Sequence, residues 1–191
     1  MSFQFDTNKA IQVAAFMIRL GQTDRMNVMK LLKLLYIADR ESLQEVGFPI
    51  TGDEPWAMKH GPVLTRIYDL CKTNASEWPV EQDDNENLWC SFFKRVNYDL
   101  CLIGDPGDDE LSPHDEKILR QVFSRYGALD KYQLRDLTHG FQEWIKNPPG
   151  ASSIRIPLGD ILDSVSRGDC VTAIEERRDE ELCLARMWES L

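Results

Sequence analysis

The stretch from Val28 to Val46 constrains this chain more than any other. Apolar side chains occupy Val28, Leu31, Leu32, Leu34, Leu35, Tyr36, Ile37 and Ala38, and on a helix these positions cover far more than one face. A helix apolar on nearly all sides must be wrapped by other elements. The segment from about residue 25 to 46 is therefore predicted to be a buried central helix, stopped by Gly47, Phe48 and Pro49.

The flanking sequence supplies the wrapping. Asp6 or Thr7 caps a helix with Ile11, Ala14, Ala15 and Ile18 on one stripe, and Gly21 ends it. Ile50 to His60, which holds Gly52 and Pro55, reads as an extended connector. The next helix is predicted to begin at Pro62, because a first-turn proline lacks an N–H that would have no partner there anyway; Val63, Ile67, Leu70 and Cys71 supply its stripe. Asn74 to Asn87 is polar and acidic apart from Trp78, Pro79 and Val80, and reads as a surface loop. A small β-hairpin is predicted near 88–103, with turn chemistry at Asn97-Tyr98-Asp99.

After the acidic loop from Gly104 to Glu110, Ser112, Pro113 and Asp115 make a helix start. That helix carries Ile118, Leu119, Val122 and Phe123 and closes at Tyr126-Gly127. A shorter helix from about Lys131 to Trp144 carries Leu134, Leu137 and Phe141. Pro148-Pro149-Gly150 breaks the chain. Ile154 to Pro157 then reads as extended, Leu158 to Val165 as one or two helical turns, and Cys170 to Trp188 as a terminal helix. Its stripe is Val171, Ile174, Leu182, Ala185 and Trp188, interrupted by the charged run Glu175 to Glu181. The expected fold class is mainly α (α-rich α+β), with about six helices around the central one and a single domain over residues 1–191.

Charge and motifs narrow the function. Thirty-two acidic against 22 basic residues give a net charge of −10, a field that repels a phosphate backbone and favours a basic protein partner, although a local basic patch survives such an average. No direct nucleic-acid contact is expected. No apolar run is long enough to span a bilayer, and Met1 to Asp6 lacks the layout of a signal peptide, so a cytoplasmic protein without a membrane partner is expected. The 5 cysteines have no CxxC spacing and are read as reduced and mostly buried. With only three histidines, His60, His114 and His139, none at ligand spacing with a cysteine, neither a metal nor a cofactor is expected. No GxSxG, phosphate-cradling glycine loop, HExxH or dinucleotide glycine pattern occurs, and neither Cys71 nor Cys90 sits in a nucleophile motif, so an enzyme is not expected.

Other residues invite two readings each. Trp56, Lys59 and His60 place a large aromatic beside a cation and an imidazole, a compact anchor for a partner, and Arg66 shares that end of the following helix. Alternatively Trp56 plugs the core and His60 caps a helix. Lys30 and Lys33 are expected to lie along apolar surface with their ammonium groups in water, and Tyr36 to bury its ring while its hydroxyl finds a polar partner. His139, at a helix end, is placed to satisfy orphan carbonyls. The acidic runs read as solvated surface, or as a face for a cationic partner.

Two blocks of sequence carry a resemblance. The first is Lys30-Leu31-Leu32-Lys33-Leu34-Leu35-Tyr36-Ile37-Ala38-Asp39, followed by Trp56-Ala57-Met58-Lys59-His60-Gly61-Pro62-Val63 and Tyr68. The second is Tyr126-Gly127, Leu134, Leu137-Thr138-His139 and Trp144. Together they resemble the Panacea domain of SocA-like antitoxins over residues 9–147, whereas 148–191, a C-terminal extension with the terminal helix, matches loosely. His60 stands where that family usually has an aromatic, and Gly140 to Glu143 separate His139 from Trp144 with no proline beside the tryptophan.

The resemblance implies Leu31, Leu35, Tyr36, Gly61, Pro62, Tyr68, His139 and Trp144 as structural signature, and the residues themselves make Trp56, Lys59, His60 and Arg66 the expected partner contacts. It implies an antitoxin that neutralises a cognate toxin by stoichiometric binding, the toxins being of several kinds, including small-alarmone synthetases that arrest growth. Two alternatives are an adaptor that delivers its toxin to a Clp-type protease and a prophage-associated regulatory protein.

Overall fold

The computed structural model describes residues 3–73 and 83–189. Helix α1 (Thr7–Leu20) starts where the sequence placed its cap, the Asp6 carboxylate accepting from Lys9 N at 3.0 Å. Then follow β1 (Arg25–Asn27), α2 (Val28–Val46), β2 (Pro55–Met58), β3 (Gly61–Leu64), α3 (Thr65–Leu70), α4 (Asp84–Phe92), β4 (Phe93–Val96) and β5 (Asp99–Leu102). The rest comprises α5 (Pro113–Tyr126), α6 (Lys131–His139), α7 (Gln142–Lys146), β6 (Ile154–Arg155), α8 (Leu158–Ser164) and α9 (Val171–Glu189). Among the described residues the result is an α-rich α+β fold with two small three-stranded sheets, of strand order β1-β5-β4 and β3-β2-β6.

Helix α2 is the buried centre. Leu31, Leu34 and Leu35 have no exposed surface, and α1, α5, α6 and β3 pack around them. Each such leucine contributes about 1.5–3 kcal/mol relative to exposure. Gly47 ends α2 with φ 83°, a left-handed conformation that glycine adopts without a Cβ clash. A second, smaller core joins Leu43 and Ala57 to Ile156, Ile161, Leu162 and Ile174, so the C-terminal segment packs on the end of α2 and on β2.

Several elements differ from expectation, each for a tertiary reason. The central helix begins at Val28, because Arg25–Asn27 is drawn into an antiparallel pairing with β5 (Met26 opposite Leu100). Pro62 is not a first helical residue: it lies in β3 opposite Ala57, and α3 begins at Thr65. Since β3 is a sheet edge, the missing N–H costs no ladder bond. The free N–H groups at the start of α3 are met instead by the Asp53 carboxylate, which accepts from Arg66 N at 3.1 Å and Ile67 N at 2.9 Å.

The hairpin is β4–β5, shorter than 88–103, with Asn97 at φ 56° in its turn; residues 88–92 are the last turns of α4, and Asp83 caps the start of that helix. Residues 84–87 are therefore helical and not loop, and Trp78, Pro79 and Val80 lie outside the described residues. The expected 131–144 helix is two, separated at Gly140-Phe141. The helices are thus more numerous and shorter than the expected six, nine among the described residues. On α9, Ile174 and Arg178 are buried while Leu184 and Met187 are exposed; the side chains of Leu182, Ala185 and Trp188 lie outside the described residues.

Candidate partner-binding site

The two blocks of sequence that stand far apart in the chain meet beneath the turn between β2 and β3. Lys33, expected to hold its ammonium in water, is only 1% exposed, and its Nζ donates to the Pro62 carbonyl at 2.6 Å. Burial brings its pKa down to about 7. Lys30 also departs from expectation, donating to the Gly127 carbonyl at 2.5 Å. Gly61 has φ 91°, and a Cβ there would lie 2.8 Å from Thr138 Oγ1 and 2.9 Å from Lys33 Nζ. Glycine is therefore required twice, by backbone conformation and by space.

His139 is the last residue of α6, as expected, but its described contacts are with rings rather than with the helix-end carbonyls. Its ring stacks on Trp144 with centroids 4.1 Å apart and planes within 5°, and Trp144 Nε1 donates to the Met58 carbonyl at 3.3 Å. Burial and the nearby Lys33 charge hold the imidazole below its usual pKa, which favours the neutral ring. Lys33 on α2, His139 on α6 and Trp144 on α7 thus fasten the Met58–Pro62 turn from three helices.

A polar knot sits one helical turn further along α2. The Tyr36 hydroxyl donates to Glu143 Oε1 at 3.0 Å, and Arg40 Nε donates to the same oxygen at 2.8 Å. Glu143 is fully buried, and the Arg40 guanidinium lies 4.4 Å above the Phe141 ring. This supplies the polar partner expected for Tyr36, and it shows why α7 is held where it is.

Above the fastened turn opens a groove of about 1210 Å³. Its floor is Val28, Met29, Leu32 and Met58; its walls include Lys59, His60, Tyr68, Arg95, Tyr98, Lys131, Tyr132, Trp144 and residues 148–153. Among the described residues none of its lining is Asp or Glu, although the chain carries 32 of them. The local basic patch that the net charge allowed is found here. Lys59 and His60 are exposed at its rim.

The other two candidate contacts stand elsewhere. Trp56 is half-buried on β2 between Val63 and Arg155, and it does not line the groove. Arg66 is exposed at the start of α3 with its guanidinium 5.2 Å from the Phe5 ring centroid, also outside the groove. Sequence reasoning overlooked Arg95, Lys131 and Tyr132, which belong to elements that only the fold brings beside the β2–β3 turn. It also overlooked Glu143 and Arg40; an acid directly before Trp144 was the one local hint.

A second cavity, about 660 Å³, lies between the C-terminal half of α2, β2 and the C-terminal segment. Its cations are already paired: Arg40 with Glu143 at 2.8 Å, Arg155 with Glu54 at 3.3 Å and Arg178 with Asp179 at 2.8 Å. The Cys71 and Cys90 thiols offer little nucleophilic character, since burial pushes Cys71 up to about 12 and raises Cys90 as well. Among the described residues no cluster of His, Cys, Asp and Glu is arranged to hold a metal, and no helix is long and apolar enough to cross a membrane.

Comparison with known proteins agrees with this architecture. The family model described as Antitoxin SocA-like, Panacea domain, matches residues 31–145, more than half of the chain. No curated protein and no solved structure matches. The matched span runs from α2 to Trp144 and so contains every residue that fastens the β2–β3 turn, and the chain belongs to the SocA-like antitoxin family through its Panacea domain.

Proposed function

We propose that this antitoxin-family chain neutralises a protein toxin by direct, stoichiometric binding, and that the groove around the Met58–Pro62 turn is the contact surface. One observation carries the reading: the family signature fastens this turn from below while Lys59 and His60 stand exposed on it, Lys59 without an ion pair or hydrogen bond among the described residues. A rigid turn presenting a cation and an imidazole over an apolar floor has the anatomy of an interface centre. Trp56 and Arg66 are flanking contacts in this proposal, one on the neighbouring strand and one on α3.

Co-expression with the growth-arresting protein encoded beside the chain tests it. Growth is restored and the two proteins co-purify, and Ser152→Trp, which fills the groove from its rim, abolishes both. Retention of co-purification by a folded Ser152→Trp protein would move the interface elsewhere. Rescue persists in cells lacking Clp-type proteases if binding alone suffices; rescue that vanishes there assigns the chain to the adaptor class.

A further inference from the structure

The charge of the groove is opposite to that of the molecule. The chain carries −10 overall, yet this concavity gathers Lys59, Arg95 and Lys131 with His60, and none of its described lining residues is a carboxylate. Lys59 is exposed without a described partner, and Arg95 donates to the carbonyls of Asn97 and Cys71, so among the described residues no carboxylate is paired with either. The Lys131 ammonium lies 5.5 Å from the Tyr98 ring centroid and 5.1 Å from that of Tyr132, and both rings are more than half exposed. Cations set beside exposed aromatic rings over a floor of Met29, Met58 and Leu32 suit an occupant that is both anionic and apolar.

We infer that the groove receives an acidic segment of the protein partner, one in which Asp or Glu alternates with aromatic or aliphatic residues. This rests on the reading of the groove as the toxin-binding surface and adds the chemistry of what enters it. A short peptide meets the cations inside the concavity and leaves the acidic remainder of the surface untouched. A nucleic acid of any length carries its phosphates beyond the groove into a repelling field. Attraction of this kind raises association rate and selects partners by charge, and it weakens as salt screens it.

The test uses fluorescence anisotropy on the full chain with three dye-labelled probes: a peptide alternating Glu with Phe and Leu, its counterpart with Lys for Glu, and a single-stranded oligothymidylate of matched length. The Glu peptide binds in a salt-dependent way, the Lys peptide at least about tenfold more weakly, and the double variant Lys59→Glu with Lys131→Glu loses about tenfold for the Glu peptide at unchanged thermal unfolding. Lys59→Gln with Lys131→Gln gives a smaller loss in the same direction. Equal binding of the Lys peptide, tighter binding of the oligonucleotide, or an unaltered affinity in the charge-reversed protein overturns the inference.

Toxin capture separates the two levels of failure. If Ser152→Trp abolishes co-purification with the neighbouring gene's product but the charge reversal leaves it intact, the groove is the interface and the acidic segment is wrong. If neither changes it, the groove itself is wrong, and the inference falls with it.

Discussion

The two cavities of this molecule treat charge in opposite ways. In the smaller one every cation faces a carboxylate, as Arg40 faces Glu143 and Arg155 faces Glu54. In the groove Arg95 meets carbonyls and Lys131 stands beside tyrosines, with the Asp130 carboxylate near Lys131 but outside the described lining. A charge paired within the fold serves the fold, because removing its partner leaves an uncompensated group in a poorly solvated place. A charge left unpaired at the surface is nearly neutral to stability and remains available for another molecule.

The largest test of that contrast is Glu143→Ala. It strands the Arg40 guanidinium and the Tyr36 hydroxyl, and a loss of about 3–5 kcal/mol in urea unfolding is expected. Loss below about 1 kcal/mol would show that the knot is dispensable and would break the comparison.

Gly61→Ala comes next, at about 2–4 kcal/mol, since a left-handed alanine is strained and its Cβ collides with Thr138 and Lys33. The same variant sharpens the comparison if toxin binding falls further than stability does, because the turn it displaces carries Lys59 and His60.

Lys33 gives a pH signature. Its folded pKa is near 7 and its unfolded value 10.5, so between these the unfolded chain holds a proton that the folded chain has released. Stability therefore rises with pH through that window, by at most about 1.4 kcal/mol per unit from this group, and is lost toward pH 7. Urea midpoints measured between about pH 7 and 9 follow this slope in the native protein and lose it in Lys33→Met. An unchanged slope would place the charge elsewhere.

The smallest effect on stability is expected from Lys59→Glu and Lys131→Glu, each within about 0.5 kcal/mol by the same unfolding measurement. A large destabilisation from either would mean that the groove cations, like those of the other cavity, belong to the fold.

Where the sequence could be read, the determinants were local. The cap at Asp6, the capping box at Ser112 and Asp115, the stop at Gly47 and the apolar girth of α2 each depend on residues within a few positions of one another. What escaped reading depended on partners far along the chain. Pro62 looks like a helix start until Ala57 is seen opposite it, and the cap of α3 is Asp53, more than a turn away from any position a capping pattern inspects. Lys33 looks like a solvated lysine until the Pro62 carbonyl is placed above it. The signature residues could be named from the resemblance, but that Lys33, Gly61, His139 and Trp144 form one support, and that Arg95 and Lys131 join Lys59 across a groove, is a property of packing between α2, α6, α7 and both hairpins.

The support beneath the Met58–Pro62 turn also bears on how binding proceeds in time. A loop held by a buried amine, a stacked imidazole and an indole N–H enters an encounter already ordered, so little conformational entropy remains to be lost there when a partner closes over it. If the turn is the toxin contact as proposed, different toxins would meet the same pre-set shape at similar rates, and their affinities would diverge in how long each complex lasts.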